Sequence, residues 1–136
     1  MHDTDMGPGH PDADECQPYY SQYIKLVPDG HIVATLERQI GESASYLAAF
    51  TPEQTLWREA PGEWNIVFQA RPLGDVVSEY AAVRAAFVAL LCGLDAAAWE
   101  RRAPAEWTLR SVRAVAYTMA GHERHHLADI RRQQGR

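Results

Sequence analysis

Apolar positions along this chain recur at helical spacing in three long runs and nowhere alternate over a useful length as a strand would. Between His31 and Phe50 the run is Ile32, Leu36, Ile40, Leu47 and Phe50, with Ser43 in the remaining slot, a three-and-four step that marks one face of a helix. Asp29 stands where it can cap that helix. At Thr51-Pro52-Glu53-Gln54 a threonine, a proline in the first turn and a glutamine spell a new helical start, kept short by Pro61-Gly62. Asn65 offers a further cap, yet Pro72 arrives within two turns, so too little sequence follows to build the helix announced there. The longest stripe, Leu73, Val76, Val77, Tyr80, Val83, Phe87, Leu90, Leu91 and Leu94, predicts a helix over 73–92 with Gly93 at its C-terminal end.

Asp95 to Arg102 reads as a turn or two of helix around Trp99, ended by Ala103-Pro104. The last helix starts from a cap at Thr108 or Ser111 and runs to about Gln133, with the stripe Val112, Val115, Met119, His122, His126 and Ile130. That stripe puts two histidines in core-facing slots. Before the first long helix, Tyr19, Tyr20, Tyr23, Ile24 and Leu26 form an apolar and aromatic patch ahead of Pro28-Asp29-Gly30, expected to lie across the side of a bundle. All long periodicity is helical, so the predicted class is all-α.

Composition changes this picture mainly at the ends. The 136 residues carry a formal charge of −5, but Asp3, Asp5, Asp12, Asp14 and Glu15 account for it before any base appears. Residues 1–18 mix Pro, Gly, Asp and His with almost no large apolar side chain, and are expected to form a disordered acidic tail, leaving 19–136 as the helical domain. At the other end eight arginines in 101–136 face only Glu106, Glu123 and Asp129, but they spread around a helix without an aromatic platform, so nucleic-acid binding is not expected. Cys16 and Cys92 form no CxxC pair, which argues against a disulfide framework. The longest apolar stretch, Ala85 to Cys92, is far short of the roughly 20 residues that cross a bilayer. With no signal peptide at the start, a cytoplasmic protein without a membrane role is expected.

The residues that carry chemistry lie in Gly121-His122-Glu123-Arg124-His125-His126-Leu127. On a helix His122 and His126 stand one turn apart, about 5–6 Å at Cβ, so both imidazoles reach one cation. Two inward histidines need hydrogen-bond partners, and Val115, Met119 and Ile130 offer none, which favours a metal over packing. His125 is rotated about 100° from His126 and is expected at the rim. The HxxxH spacing is that of the zincins, but only ten residues follow His126, and they hold no further Glu or His ligand. His31 reads as a solvated cap-region histidine, and His2 and His10 belong to the tail.

The stretch Ala116-Tyr117-Thr118-Met119-Ala120-Gly121-His122-Glu123-Arg124-His125-His126-Leu127 resembles the last-helix signature of the DinB-like superfamily, which includes the YfiT-type metal-dependent hydrolases. Pro18-Tyr19-Tyr20 with Val27-Pro28-Asp29-Gly30, Ala60-Pro61-Gly62-Glu63-Trp64-Asn65-Ile66, Arg71-Pro72-Leu73 and Ser111-Val112-Arg113-Ala114 resemble other segments of that superfamily. The resemblance implies an up-down four-helix bundle in which three histidines hold a divalent metal, zinc or nickel. Two of them correspond to His122 and His126. The third, from the second long helix, has no counterpart: Val67 runs directly into Phe68-Gln69-Ala70-Arg71-Pro72, and that helix is expected to be missing or truncated.

Two functions from different classes follow. The resemblance implies a divalent-metal-binding protein acting as a metal-dependent hydrolase, or as a transferase that uses a low-molecular-weight thiol, on a small molecule. The alternative is a non-enzymatic helical module with a degenerate metal site. Two imidazoles alone bind a metal weakly, and a bundle short of one helix exposes an apolar groove that a second copy covers. A homodimer is expected on that ground.

Overall fold

A computed structural model describes residues 7–51, 53–54, 71–105 and 108–134. Single 3-10 turns at Ala13–Glu15 and Pro18–Tyr20 lead into the one-turn helix α1 (Ser21–Ile24). The long helices are α2 (Ile32–Ala48), α3 (Leu73–Cys92) and α5 (Val112–Gln134), with the short α4 (Ala96–Glu100) between the last two. Among the described residues the fold is all-α except for one antiparallel hairpin, β1 (Arg102–Ala105) with β2 (Thr108–Ser111). The predicted limits of α3 are met, and α4 forms around Trp99 with the Asp95 carboxylate accepting from Ala98 N at 2.7 Å. Thr51 and Gln54 make the predicted reciprocal box: Thr51 N donates to Gln54 Oε1 at 2.8 Å and Gln54 N to Thr51 Oγ1 at 3.3 Å. The segment expected to lack a long helix falls within 55–70, outside the described residues.

Helix α2 packs on α3 and α5, and α1 lies on α5. Ile24, Ile32, Leu36, Leu91, Trp99 and Tyr117 are central to the core between them. The approach of α1 to α5 is possible only because position 121 is glycine: a Cβ there would overlap the carbonyl oxygen of Tyr23. One turn earlier on α5, the fully buried Tyr117 accepts from Gly30 N at 2.9 Å and donates to the Pro8 carbonyl at 2.7 Å. Gly30 holds φ +81°, a left-handed conformation that glycine adopts without strain, and this aims its N–H at the phenol.

Several expectations are corrected. The acidic segment, expected to hang loose, is laid against the bundle from Gly7 to Pro18. Glu15 is 2% exposed and takes the Arg113 guanidinium through Nε at 2.7 Å and through a second, shorter bond from a terminal nitrogen. Asp12 N also donates to Glu15 at 2.6 Å, and Arg102 NH2 meets Asp14 at 3.3 Å. Composition hid this because the partners lie far along the chain. Asp29 does not cap α2, since its carboxylate accepts from His10 N at 2.7 Å; the N-cap position is held by His31, exposed and left-handed at φ 55°.

The hairpin was not expected, because four-residue strands carry too little alternation to register. Ser111, rather than Thr108, caps α5, accepting from Ala114 N at 3.1 Å. The predicted stripe of α5 is also offset. Its buried face is Ala114, Ala116, Tyr117, Ala120 and Gly121, small residues around one tyrosine, while Val112, Val115, Met119 and Ile130 are half-buried. The periodicity was right and its phase was not, because alanine and glycine allow closer packing than a search for large apolar side chains detects.

Gly121→Ala should destabilise the protein by about 2 kcal/mol or more, since the added methyl cannot be accommodated without parting α1 from α5; urea unfolding measures it. Acid should act through Glu15, whose carboxyl is desolvated by burial but held by hydrogen bonds from Arg113, for a net fall from 4.5 to about 2. A depressed carboxyl contributes stability that is full above pH about 4.5 and lost as the pH falls toward about 2. The wild-type melting temperature should therefore drop across that interval, and Glu15→Gln should flatten the drop while costing about 3 kcal/mol at neutral pH.

Candidate metal centre

Helix α5 is nailed down along one face by Tyr117 and Gly121, and this fixes where the histidine stripe points. His122 is exposed and His125 and His126 are half-buried, so the two predicted ligands do not face the core. They lie at its margin, with their ligating edges turned toward each other: His122 Nε2 and His126 Nε2 are 3.0 Å apart, and the rings cross at 89° with centroids 4.4 Å apart. Two ligands on one zinc at roughly 2.0–2.1 Å each stand slightly farther apart than this, so a small opening of the pair admits the ion. Neutral imidazole nitrogens, brought together at an accessible edge, are a fitting donor set for zinc or nickel.

The structure adds donors that sequence reasoning set aside or missed. Ligating atoms of His125, His126 and Asp129 all lie within 4.8 Å of one another. His125 Nε2 is 3.4 Å from Asp129 Oδ2, and Asp129 also pairs with Arg132 one turn on. His122, His125, His126 and Asp129 follow the spacing of three, one and three that keeps one helical face. Backbone direction alone separates His125 from His126 by about 100°, whereas a stripe of this width lets adjacent side chains lean together. The missed signal was the aspartate in HxxHHxxD.

Aromatic packing from α1 backs the cluster. The Tyr23 ring sits edge-on to His122 at 5.1 Å and close to His125 at 5.5 Å, and its hydroxyl lies 3.1 Å from that of Tyr19. The hydrogen bond to Tyr19 and then desolvation push the Tyr23 phenol above its ordinary value, so it stays neutral beside the imidazoles. Glu123, next in sequence to His122, turns the other way, to the Tyr80 phenol of α3. Burial and then the hydrogen bond to Glu123 push that phenol up to about 12. Gln39 of α2 completes this polar layer, donating from Nε2 to the Ala120 carbonyl at 3.2 Å, while its own carbonyl lies 3.5 Å from the Tyr80 hydroxyl. His31 and His10 stand elsewhere: His31 is exposed at the start of α2, and His10 Nε2 lies 2.6 Å from the Val27 carbonyl.

With this geometry in view, the comparisons with known proteins are specific on one point. Residues 71–130, the stretch that holds α3 and the histidine cluster of α5, match the family model of the DinB superfamily. Neither the curated proteins nor the solved structures provide a match to the chain. No helix among the described residues is long and apolar enough to cross a membrane.

Proposed function

We propose that this DinB-like protein binds a divalent metal, zinc or nickel, through His122 and His126, and uses it as a metal-dependent hydrolase or as a transferase dependent on a low-molecular-weight thiol. The observation that carries this reading is the approach of the two Nε2 atoms to 3.0 Å at an accessible edge of α5. His125 and Asp129 stand beside the pair as the nearest further donors. A bound cation of this kind supplies Lewis acidity, lowering the pKa of a water or thiol that it holds. The chain's own contribution is orientation. Tyr23 fixes the tilt of His122 by its ring edge, and Asp129 restrains His125.

The test is metal content after purification without a histidine tag. About one divalent ion per chain is expected, lost in His126→Ala, with affinity lowered about tenfold or more in Asp129→Asn if the carboxylate belongs to the site. Substoichiometric metal in both wild type and His126→Ala overturns the reading.

A second, non-enzymatic reading, a helical module that works as a homodimer, draws support from α3. Val83 is 62% and Leu90 64% exposed, two turns apart on one face among exposed alanines 82, 86 and 89. A contiguous apolar strip of this kind favours burial against a second copy. Sedimentation equilibrium should then give a dimer for the wild type and a monomer for Leu90→Lys; a wild-type monomer at all concentrations rejects this reading.

A further inference from the structure

Between α3 and α5 there is a cavity of about 420 Å³, a size suited to a small molecule. Arg71, Val76, Glu79, Tyr80, Val83 and Arg84 line one side, and Met119 of α5 closes the other. Three charges meet there and do not cancel. Arg71 is paired with Glu79, and the Glu123 carboxylate behind the wall is engaged by the Tyr80 hydroxyl. Arg84 is left over. Its NH1 is shut off from water and has no hydrogen-bond partner among the described residues, and its guanidinium carbon lies 5.9 Å from the centre of the Tyr80 ring. A desolvated guanidinium nitrogen with nothing to donate to is costly. Arg84 nevertheless lines the cavity, and an anionic acceptor that enters it answers the charge from the side of the guanidinium that faces the cavity.

We propose that this cavity binds a small monocarboxylate, its carboxylate on Arg84 and its apolar body against Val76, Val83 and Met119. One uncompensated guanidinium and a largely aliphatic wall match one negative charge on a short hydrocarbon. A polyphosphate would require more cations than Arg84, the one lining residue among those described whose positive charge is not in an ion pair, provides. Met119 precedes His122 by one turn of α5, yet no residue that lines the cavity belongs to the histidine cluster. The seat therefore stands whether or not the histidines hold a metal.

Isothermal titration calorimetry on the full chain tests the proposal with hexanoate, hexan-1-ol and inorganic phosphate, each on protein as purified and on protein stripped with a chelator. Hexanoate is expected to bind saturably at one site per chain in both preparations, at least tenfold tighter than hexan-1-ol or phosphate. Arg84→Gln should lose at least tenfold in hexanoate affinity, while Arg84→Lys keeps part of it. Equal affinity for hexanoate and hexan-1-ol, or undiminished binding in Arg84→Gln, overturns the proposal, and the ligand comparison on wild type decides even where Arg84→Gln fails to fold. Binding that disappears on metal removal and in His126→Ala, but persists in Arg84→Gln, places the carboxylate on the histidine centre and also overturns it.

Discussion

The fold depends on the flush contact between the backbone of α1 and the face of α5 at Gly121. A helix without a side chain at that point can be approached by another backbone far more closely than ridges-into-grooves packing of larger residues allows. Such a contact has one rotational solution. With Gly121 and Ala120 turned inward and Tyr117 locked one turn earlier by Gly30 and Pro8, α5 cannot rotate to bury His122. The histidine stripe is thereby placed at the edge of the bundle, where two imidazoles meet each other and remain within reach of solvent.

The N-terminal segment strengthens the same arrangement from the other side. Glu15 meets Arg113 near the start of α5, and Pro8 meets Tyr117 one turn along. Each contact joins residues about a hundred positions apart, so the chain's two ends are clasped along the first half of α5. Breaking a buried, hydrogen-bonded ion pair by removing one partner costs more than the pair contributed, because a desolvated charge is left behind. Glu15 is accordingly structural, and Arg102 and Arg113 also meet the carboxylates of Asp14 and Asp12 beside it.

What the sequence disclosed, and what it did not, divides along physical lines. Helix existence was legible wherever large apolar residues repeat at three and four, as in α2 and α3, and caps were legible where a short polar side chain precedes a run, as at Thr51 and Ser111. Two kinds of information were not local enough to be read. One is the phase of α5, set by how closely Ala and Gly permit α1 to approach. The other is the fate of Glu15, set by a guanidinium ninety-eight residues away. The metal candidates were half legible. The HxxxH spacing located His122 and His126, and the two are brought together as the spacing required, but Asp129 emerged only once side chains were in place.

The polar layer of Gln39, Tyr80 and Glu123 explains why the interior of a bundle with so few large core residues keeps a defined geometry near the histidines. Each member lies on a different long helix, and hydrogen bonds among buried groups fix direction as well as distance, whereas aliphatic contacts tolerate many arrangements. Tyr80 has two roles in this layer. Its hydroxyl ties α3 to α2 and to Glu123, while its ring forms the wall of the cavity that holds Arg84. The Glu123 carboxylate is engaged by this phenol and the Glu79 carboxylate by Arg71. Among the described residues the Arg84 guanidinium makes no ion pair, and its NH1 has no hydrogen-bond partner. A charge left over in this way points outward from the protein's own needs, toward something that is not part of the chain.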